Sequence, residues 1–367
     1  SSPRPHHDDS RARVVDAAAD VARIAERDIG SQRARADAVS RARPEADTND
    51  DVQAAGPAAA ASLHGFAVSL TTAGYWTERG VRAMGSSAHI LAGDTDDATL
   101  QWALDELERL ERCWSRFRSD SELCALNACT GRWVGVSAPM LLALRCAADL
   151  YAATNGRFDP TILDALEYNG YDRSFELIDT RLSARPAASC APGLTIEFDE
   201  DESRVRLAAG ARVDLGGVGK GLAADLVARG LVDRGARSVL VNMGGDVRAR
   251  GEVPPDGVWR VPVAHPLDAD GIAFVHALDN DAVVTSTTRI RQWRTGDEQQ
   301  HHLVDPATGR PARSGVAAVV ASARDAWWAE GVAKAALIAG VDDGRALCAA
   351  LDVRAWFFTD DGEVVAP

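Results

Sequence analysis

Between Val213 and Asp225 the chain reads Val-Asp-Leu-Gly-Gly-Val-Gly-Lys-Gly-Leu-Ala-Ala-Asp. The residue types suit anion chemistry. Glycines let backbone N–H groups approach a ligand, and Lys220 adds a positive charge. Asp214 and Asp225 place carboxylates on either side. The run from Arg204 to Val213 alternates charged and apolar residues and then turns apolar, which predicts a strand. Leu222, Leu226, Leu231 and Val232 predict a helix from Leu222 to Arg234. The glycines thus stand between a strand end and a helix start, where the helix dipole favours an anion. Two familiar phosphate loops are excluded. A Walker A loop needs a glycine where Asp214 stands and Ser or Thr where Gly221 stands. A dinucleotide fingerprint needs a third glycine where Leu222 stands. Taken alone, the stretch fits a tight turn without a ligand equally well.

Other candidates are spread along the chain. Asn242-Met243-Gly244-Gly245-Asp246 follows a short apolar strand, Ser238 to Val241, and gives a second glycine pair at a strand end. Two such ends point to one concave site. Arg157-Phe158-Asp159-Pro160-Thr161 is a loop, because the Asp-Pro pair resists helix. His301 and His302 are adjacent on a predicted strand, so at most one of them enters a given site. Arg289 and Arg291 follow the strand Ala282 to Thr288.

The elements that must position these residues follow from periodicity. A strand is expected over Ala83 to Leu91, with His89 half-buried in it. Leu100, Ala103, Leu104, Leu107, Leu110 and Trp114 repeat at helical spacing, which makes that face core. Ser137 and Pro139 start a second helix, and Asn155-Gly156 stops it. Residues 181 to 193 read as loop. Ala326 to Ala339 is a helix, and Phe357 to Val365 a hairpin broken by Asp361-Gly362.

Composition bounds the function. The 367 residues carry a formal charge of −14, which argues against nucleic acid as a partner. An acidic protein that binds an anion must compensate locally, which draws attention to Lys220 and the arginines near position 290. The six cysteines are scattered and form no CxxC pair, so neither a zinc site nor a disulfide framework is read. No apolar run is long enough to span a membrane, and no signal segment or lipidation cysteine stands in these residues, which leaves the compartment undecided. Residues 1–64 are rich in Ala, Arg and Asp and poor in core-forming residues, so they are expected to be a tail or linker, with one globular domain over 65–367.

Five motifs stand in one order: Met-Gly-Ser at Met84, Phe-Asp-Pro-Thr at Phe158, Asp-Leu-Gly-Gly-x-x-Lys-Gly at Asp214, Asn-x-Gly-Gly-Asp at Asn242, and His-x-x-Asp-Pro-x-Thr-Gly at His302. Together they resemble the ApbE family, the FAD:protein FMN transferases, over roughly residues 80 to 367. The resemblance implies a single α+β domain of two intermingled lobes with FAD in a cleft and a metal ion, usually magnesium, at its pyrophosphate. It implies transfer of the FMN half of FAD onto a Ser or Thr hydroxyl of a target protein, with release of AMP. Met84 falls at a flavin-contacting methionine, and Phe117 where many members pack a Tyr on the isoalloxazine. Phe158, Asp159 and Pro160 fall on a loop lining FAD, and Asp214 and Lys220 flank the glycine turn at the nucleotide. Gly244 and Gly245 form the second turn of the cofactor site, and Val304 lies on a segment contacting FAD. His302 matches a histidine tied to transfer, and Asp305 in the same motif is the other candidate for assisting deprotonation of the acceptor.

One departure stands out. The family's metal is held by an Asp, a Thr four residues later, and a backbone carbonyl of the glycine turn, here assigned to Gly217. Glu330 replaces the Asp and Lys334 the Thr. A charged Lys cannot coordinate a metal, because it has no acceptor. Lys334, on the same helix face as Glu330, is expected to take over part of the cation's role. Two rival functions use the same site: an FAD binder that transfers poorly or not at all, and a hydrolase releasing FMN and AMP.

Overall fold

Eight strands build one antiparallel sheet, and they lie side by side in chain order. We number them β1 (Trp76–Ala83), β2 (Ser86–Gly93), β3 (Ser238–Met243), β4 (Asp246–Gly251), β5 (Ala282–Thr287), β6 (Val316–Ala323), β7 (Arg354–Thr359) and β8 (Val364–Val365). The helices are α1 (Asp97–Trp114), α2 (Glu122–Asn127), α3 (Ala138–Ala153), α4 (Leu163–Tyr168), α5 (Gly219–Asp233), α6 (Ala326–Ala339) and α7 (Val341–Ala350). The structure is a computed structural model and describes residues 61–63, 66–68, 76–178, 181–182, 193–194, 196–252, 258–268 and 270–367. The expected tail at 1–64 lies outside the described residues, apart from a short strand at Ala61–Leu63. Among the described residues no helix is long and apolar enough to cross a membrane.

The sheet is buried on both faces. Ala88, Ile90, Val239, Val241, Val284 and Val319 face a core shared with the helices. Leu91, Leu240, Val247, Val283 and Val320 face a second core, closed by the ribbon Trp259–Ala264 with Ile272–Leu278. Alternate residues supply the two cores, as the strand repeat requires. α5 packs on β3 and β4, and α6 on β5 and β6. A third, smaller cluster joins α4 to Tyr171, Trp293 and Val304, and this second lobe is woven from segments between the sheet strands. The fold is therefore the expected single α+β domain with two intermingled lobes.

Helix signals are borne out locally. Asp96 caps α1 by accepting from the Thr99 N–H at 2.8 Å, and the Leu100, Ala103, Leu107, Leu110 face is buried. Ser137 caps α3, and Asn155 and Gly156 end it with positive φ of 50° and 76°.

Four expectations are corrected. Ala83–Leu91 is a hairpin, not one strand: Met84 (φ 50°) and Gly85 (φ 67°) make a two-residue turn between β1 and β2. The strand before the glycine stretch runs only over Arg204–Leu207, and residues 208–218 are loop. α5 starts at Gly219, three residues ahead of Leu222, so Lys220 and Gly221 belong to its first turn. The loop expected at 181–193 begins as a strand, with Arg181 and Leu182 paired in parallel with Arg294 and Thr295; most of the rest of that span lies outside the described residues.

Glycine at 221 is set by helix crossing. A Cβ there would meet the Ala326 carbonyl oxygen at 2.5 Å and the Trp327 nitrogen at 2.7 Å, both backbone atoms of α6. We expect Gly221→Ala to lower stability by about 1–3 kcal/mol, because overpacking against backbone exceeds the ~1 kcal/mol propensity gain of Ala in a helix. Urea unfolding checks this; a midpoint at or above that of the unmodified chain would overturn it.

Candidate active site

The β1–β2 and β3–β4 turns emerge at the same end of the sheet, since β2 pairs antiparallel with both β1 and β3. Next to this end lies a cavity of ≈ 760 Å³. Its lining includes the β1–β2 turn, the end of α1, the Phe158 loop, the glycine turn, the segment around His302, and Lys334 of α6. That volume is within the range of sites for a drug-sized ligand, roughly 300–1,000 Å³.

One side of the lining is aromatic. Phe117 is 40% exposed, and its ring lies 5.6 Å from that of Tyr171, which lies 5.6 Å from that of Trp293. The Arg116 guanidinium sits 4.1 Å from the Phe117 centroid and 4.6 Å from that of Tyr171. Arg116 Nε is fixed by Asp214 Oδ2 at 2.7 Å. Arg291 donates to the Tyr171 hydroxyl at 3.3 Å and to the Gly85 carbonyl at 3.1 Å, which ties the hairpin turn to the second lobe. The Met84 N–H donates to Glu111 Oε2 at 3.0 Å, so the turn is also held from α1.

The glycine turn is packed rather than open. A Cβ on Gly217 would lie 2.8 Å from the Phe158 ring, so only glycine permits that contact. The Asp214 N–H donates to the Pro160 carbonyl at 2.8 Å, stitching this loop to the Phe158 loop. Asp214 also accepts from the Gly216 N–H.

Four charged side chains stand behind the turn. Lys220 pairs with Asp246, and its Nζ lies 3.2 Å from Glu330 Oε1. Lys334 Nζ lies 2.9 Å from the same Glu330 oxygen. Glu330 Oε2 accepts from the Gly221 N–H at 2.8 Å, and the residue is fully buried. Burial disfavours its charge, but Lys220 and Lys334 outweigh that and hold the carboxyl at about 2. Lys220 is likewise desolvated, yet Asp246 and Glu330 raise it above the ordinary lysine value. For Lys334, burial wins and lowers it, with the Lys220 charge adding to the effect.

The magnesium ion implied by the resemblance can be tested against this donor set. Among the described residues, no three His, Cys, Asp or Glu side chains group to hold a metal. Both Glu330 oxygens already accept from fixed donors, and Asp246 is taken by Lys220. Gly217, Glu330 and Lys334 therefore do not form a cation cage, and a resident divalent ion does not fit these residues.

The other expected site residues divide. Met84, Phe117, Phe158, Asp159, Asp214, Gly217, Lys220, Val304, Lys334 and His302 all line the cavity. Pro160, Gly244, Gly245 and Asp305 do not. Gly244 is pressed on β2, its N–H donating to the Ser87 carbonyl at 3.0 Å; with Gly245 it serves as the β3–β4 turn. Asp159 Oδ1 accepts from the Thr161 N–H at 2.7 Å and its hydroxyl at 2.6 Å, holding the loop. Asp305 is spent on its own turn, accepting from the Ala307 N–H at 2.9 Å and the Thr308 hydroxyl at 3.2 Å. Asp225 turns away from the glycine stretch, accepting from the Ala326 and Trp327 N–H groups at 3.1 and 3.0 Å. Sequence reasoning missed Arg116, Tyr171 and Glu111; only the adjacency of Arg116 to Phe117 offered a signal.

The two histidines separate as expected, although only His301 lies in a strand (Glu298–His301) and His302 stands in the bend after it. Buried His301 is anchored, its Nε2 3.0 Å from the Ala312 carbonyl. His302 lines the cavity, and its covered Nδ1 has no hydrogen-bond partner. Burial, followed by the charges of Arg291 and Lys334, puts it well below the ordinary histidine range.

Comparison with known proteins places this geometry. The profile of the ApbE family matches residues 84–357. An FAD:protein FMN transferase of Vibrio cholerae is 29% identical over 280 residues, covering 74% of this chain and 83% of the relative. One from Treponema pallidum is 30% identical, covering 68% of this chain and 74% of the relative. The crystal structure of the ApbE protein of Thermotoga maritima superposes with a TM-score of 0.71 at 25% identity, covering 80% of this chain and 97% of that one. The apo form of the Pseudomonas stutzeri flavinyl transferase ApbE shares the fold, with a TM-score of 0.68 at 23% identity.

The His302 environment yields a direct test. Its ring is expected to stay neutral from pH ~8 down through pH ~6, where an ordinary histidine with a pKa of ~6.5 takes up a proton. Histidine NMR signals followed against pH check this; a midpoint near the ordinary value would overturn it.

Proposed function

The chain belongs to the ApbE family, and from that premise we propose that it is an FAD:protein FMN transferase, moving FMN from FAD onto a Ser or Thr hydroxyl of an acceptor protein. The observation that carries this reading is the juxtaposition of half-buried lysines, an aromatic wall and a neutral histidine in one cavity. Each answers a different part of the substrate. Phe117 and Tyr171 offer aromatic surface to the isoalloxazine, beside Met84. Lys220, Lys334 and the start of α5 offer positive charge to the diphosphate.

The chemistry follows from these placements. The acceptor oxygen forms a bond to the phosphorus of the FMN half, the bond from that phosphorus to the bridging oxygen breaks, and AMP leaves with the electron pair. Such a transfer needs alignment and charge stabilisation more than covalent help from the protein. His302, which lines the cavity, takes the acceptor proton on its imidazole. A neutral imidazole without a competing partner is in the protonation state that this step needs. Of the two candidate bases, the geometry favours His302 over Asp305, whose oxygens are engaged in its turn.

The test is incubation of the protein with FAD and candidate acceptor domains, followed by in-gel flavin fluorescence of the acceptor and chromatography of AMP. Covalent flavin on the acceptor with matching AMP is expected. Free FMN plus AMP would identify a hydrolase, and unchanged FAD a non-transferring binder. His302→Ala should lower transfer roughly 10²–10⁴-fold, the usual contribution of a general base. FAD affinity should change little; equal transfer by the variant would remove His302 from the reaction.

A further inference from the structure

The charges behind the glycine turn balance in a specific way. Lys220, Asp246, Glu330 and Lys334 are two cations and two anions, with side-chain exposures of 17%, 2%, 1% and 13%. The two carboxylates are sealed from solvent, whereas the two lysine side chains keep partial exposure and line the cavity. Of the four, only the lysines line the cavity, and the carboxylates stand behind them. Lys334 is also held rigidly for so long a side chain. Its Nζ is bound by Glu330 one helical turn earlier, and its Cδ lies 3.6 Å from where a Gly217 Cβ would stand.

Removing Lys334 would change the sign of the site. Lys220 would remain, but against both Asp246 and Glu330, leaving one net negative charge beside any bound anion. A neutral residue at 334 would therefore require an external cation before a diphosphate could settle there. With Lys334 present, an external divalent cation has the opposite problem. It would have to lie against two ammonium groups and share an oxygen that both already contact at 2.9 and 3.2 Å.

We propose that Lys334 is a built-in cation: its ammonium, anchored by Glu330, takes the diphosphate of FAD and makes binding of that substrate independent of divalent metal. The proposal deepens the transferase reading and rests on FAD being the ligand of this cavity. Lys334 is thus assigned as a binding residue that fixes the ion requirement of the site.

The experiment measures the FAD dissociation constant of the purified protein by flavin fluorescence, once with EDTA and once with added magnesium. The unmodified protein is expected to bind FAD with constants within about 2-fold of each other in the two conditions. Lys334→Thr is expected to bind roughly 10-fold or more weakly in EDTA and to recover with magnesium. Lys334→Arg, which keeps the charge, should retain the EDTA tolerance of the unmodified protein. Thermal unfolding of each variant establishes that it is folded, and the unmodified protein tests metal independence without any substitution. A 10-fold or greater loss of affinity in EDTA for the unmodified protein would overturn the proposal, as would Lys334→Thr binding in EDTA as the unmodified protein does. Failure of the folded, unmodified protein to bind FAD in either condition would instead reject FAD as the ligand.

Discussion

The contact between α5 and α6 at Gly221 is the constraint on which both the core and the site depend. With no side chain at 221, the first turn of α5 lies against the first turn of α6. Two carboxylates exploit that approach in opposite senses. Asp225, from α5, accepts the Ala326 and Trp327 N–H groups and caps a helix whose own Asp325 makes no side-chain cap. Glu330, from α6, accepts the Gly221 N–H near the start of α5. Each helix start is thus satisfied by the other helix. Both carboxylates are buried, which is tolerable only because cations meet them: Arg248 from β4 for Asp225, and the two lysines for Glu330. For Asp225 burial prevails over Arg248, and its carboxyl is pushed up to about 6.

The electrostatics of the cavity run against those of the molecule. The chain carries −14, yet the cavity is lined by seven Arg and Lys side chains against four Asp and Glu. The field at the site is therefore local, and comes from residues distant in sequence. Lys220 lies in the glycine motif, Arg291 follows β5, and Lys334 lies on α6. Arg116 is largely spoken for by Asp214 and by two aromatic rings. Arg82, Arg118 and Arg157 are paired with Glu176, Glu108 and Asp343, while Lys220, Lys334 and Arg291 lie near the glycine turn and His302, and Phe117 and Tyr171 form the aromatic side. An anionic head and a planar aromatic body joined in one ligand would match that division.

Much of this was legible in the sequence, but unevenly. Motif order and residue type pointed to the glycine turn, the Phe158 loop and His302, and the structure brings these together around one cavity. Amphipathic spacing placed α1 and α3, whose caps are local as well. Strand ends were less readable. The apolar pattern of Ala83–Leu91 continues through a hairpin turn, and only the φ values at Met84 and Gly85 reveal the break. Val205 and Leu207 are buried within the short strand, and Val213 is buried in the loop beyond it, with Ala209 exposed between them. Asp225 looked like a site residue by proximity in sequence. Its role depends on which face of α5 meets α6, and that is set by a contact roughly a hundred positions away. Arg116 and Tyr171 were missed for the same reason: their pairing depends on bringing two separated segments together.

The last link joins binding to reactivity. His301 ends a strand and is anchored to the Ala312 carbonyl, whereas His302, in the bend that follows, lines the cavity. Its imidazole is held neutral first by burial and then by the charges of Arg291, Lys334 and, more weakly, Lys220. These cations also line the anion-binding end of the cavity. A field that attracts a diphosphate thus also disfavours a proton on the adjacent imidazole. In a site without buried cations the imidazole would bind that proton more readily and compete less well for the one on an acceptor hydroxyl. Holding the substrate and keeping the base available are consequently one electrostatic arrangement, and Glu330 fixes it in place by pinning both ammonium groups to the start of α5.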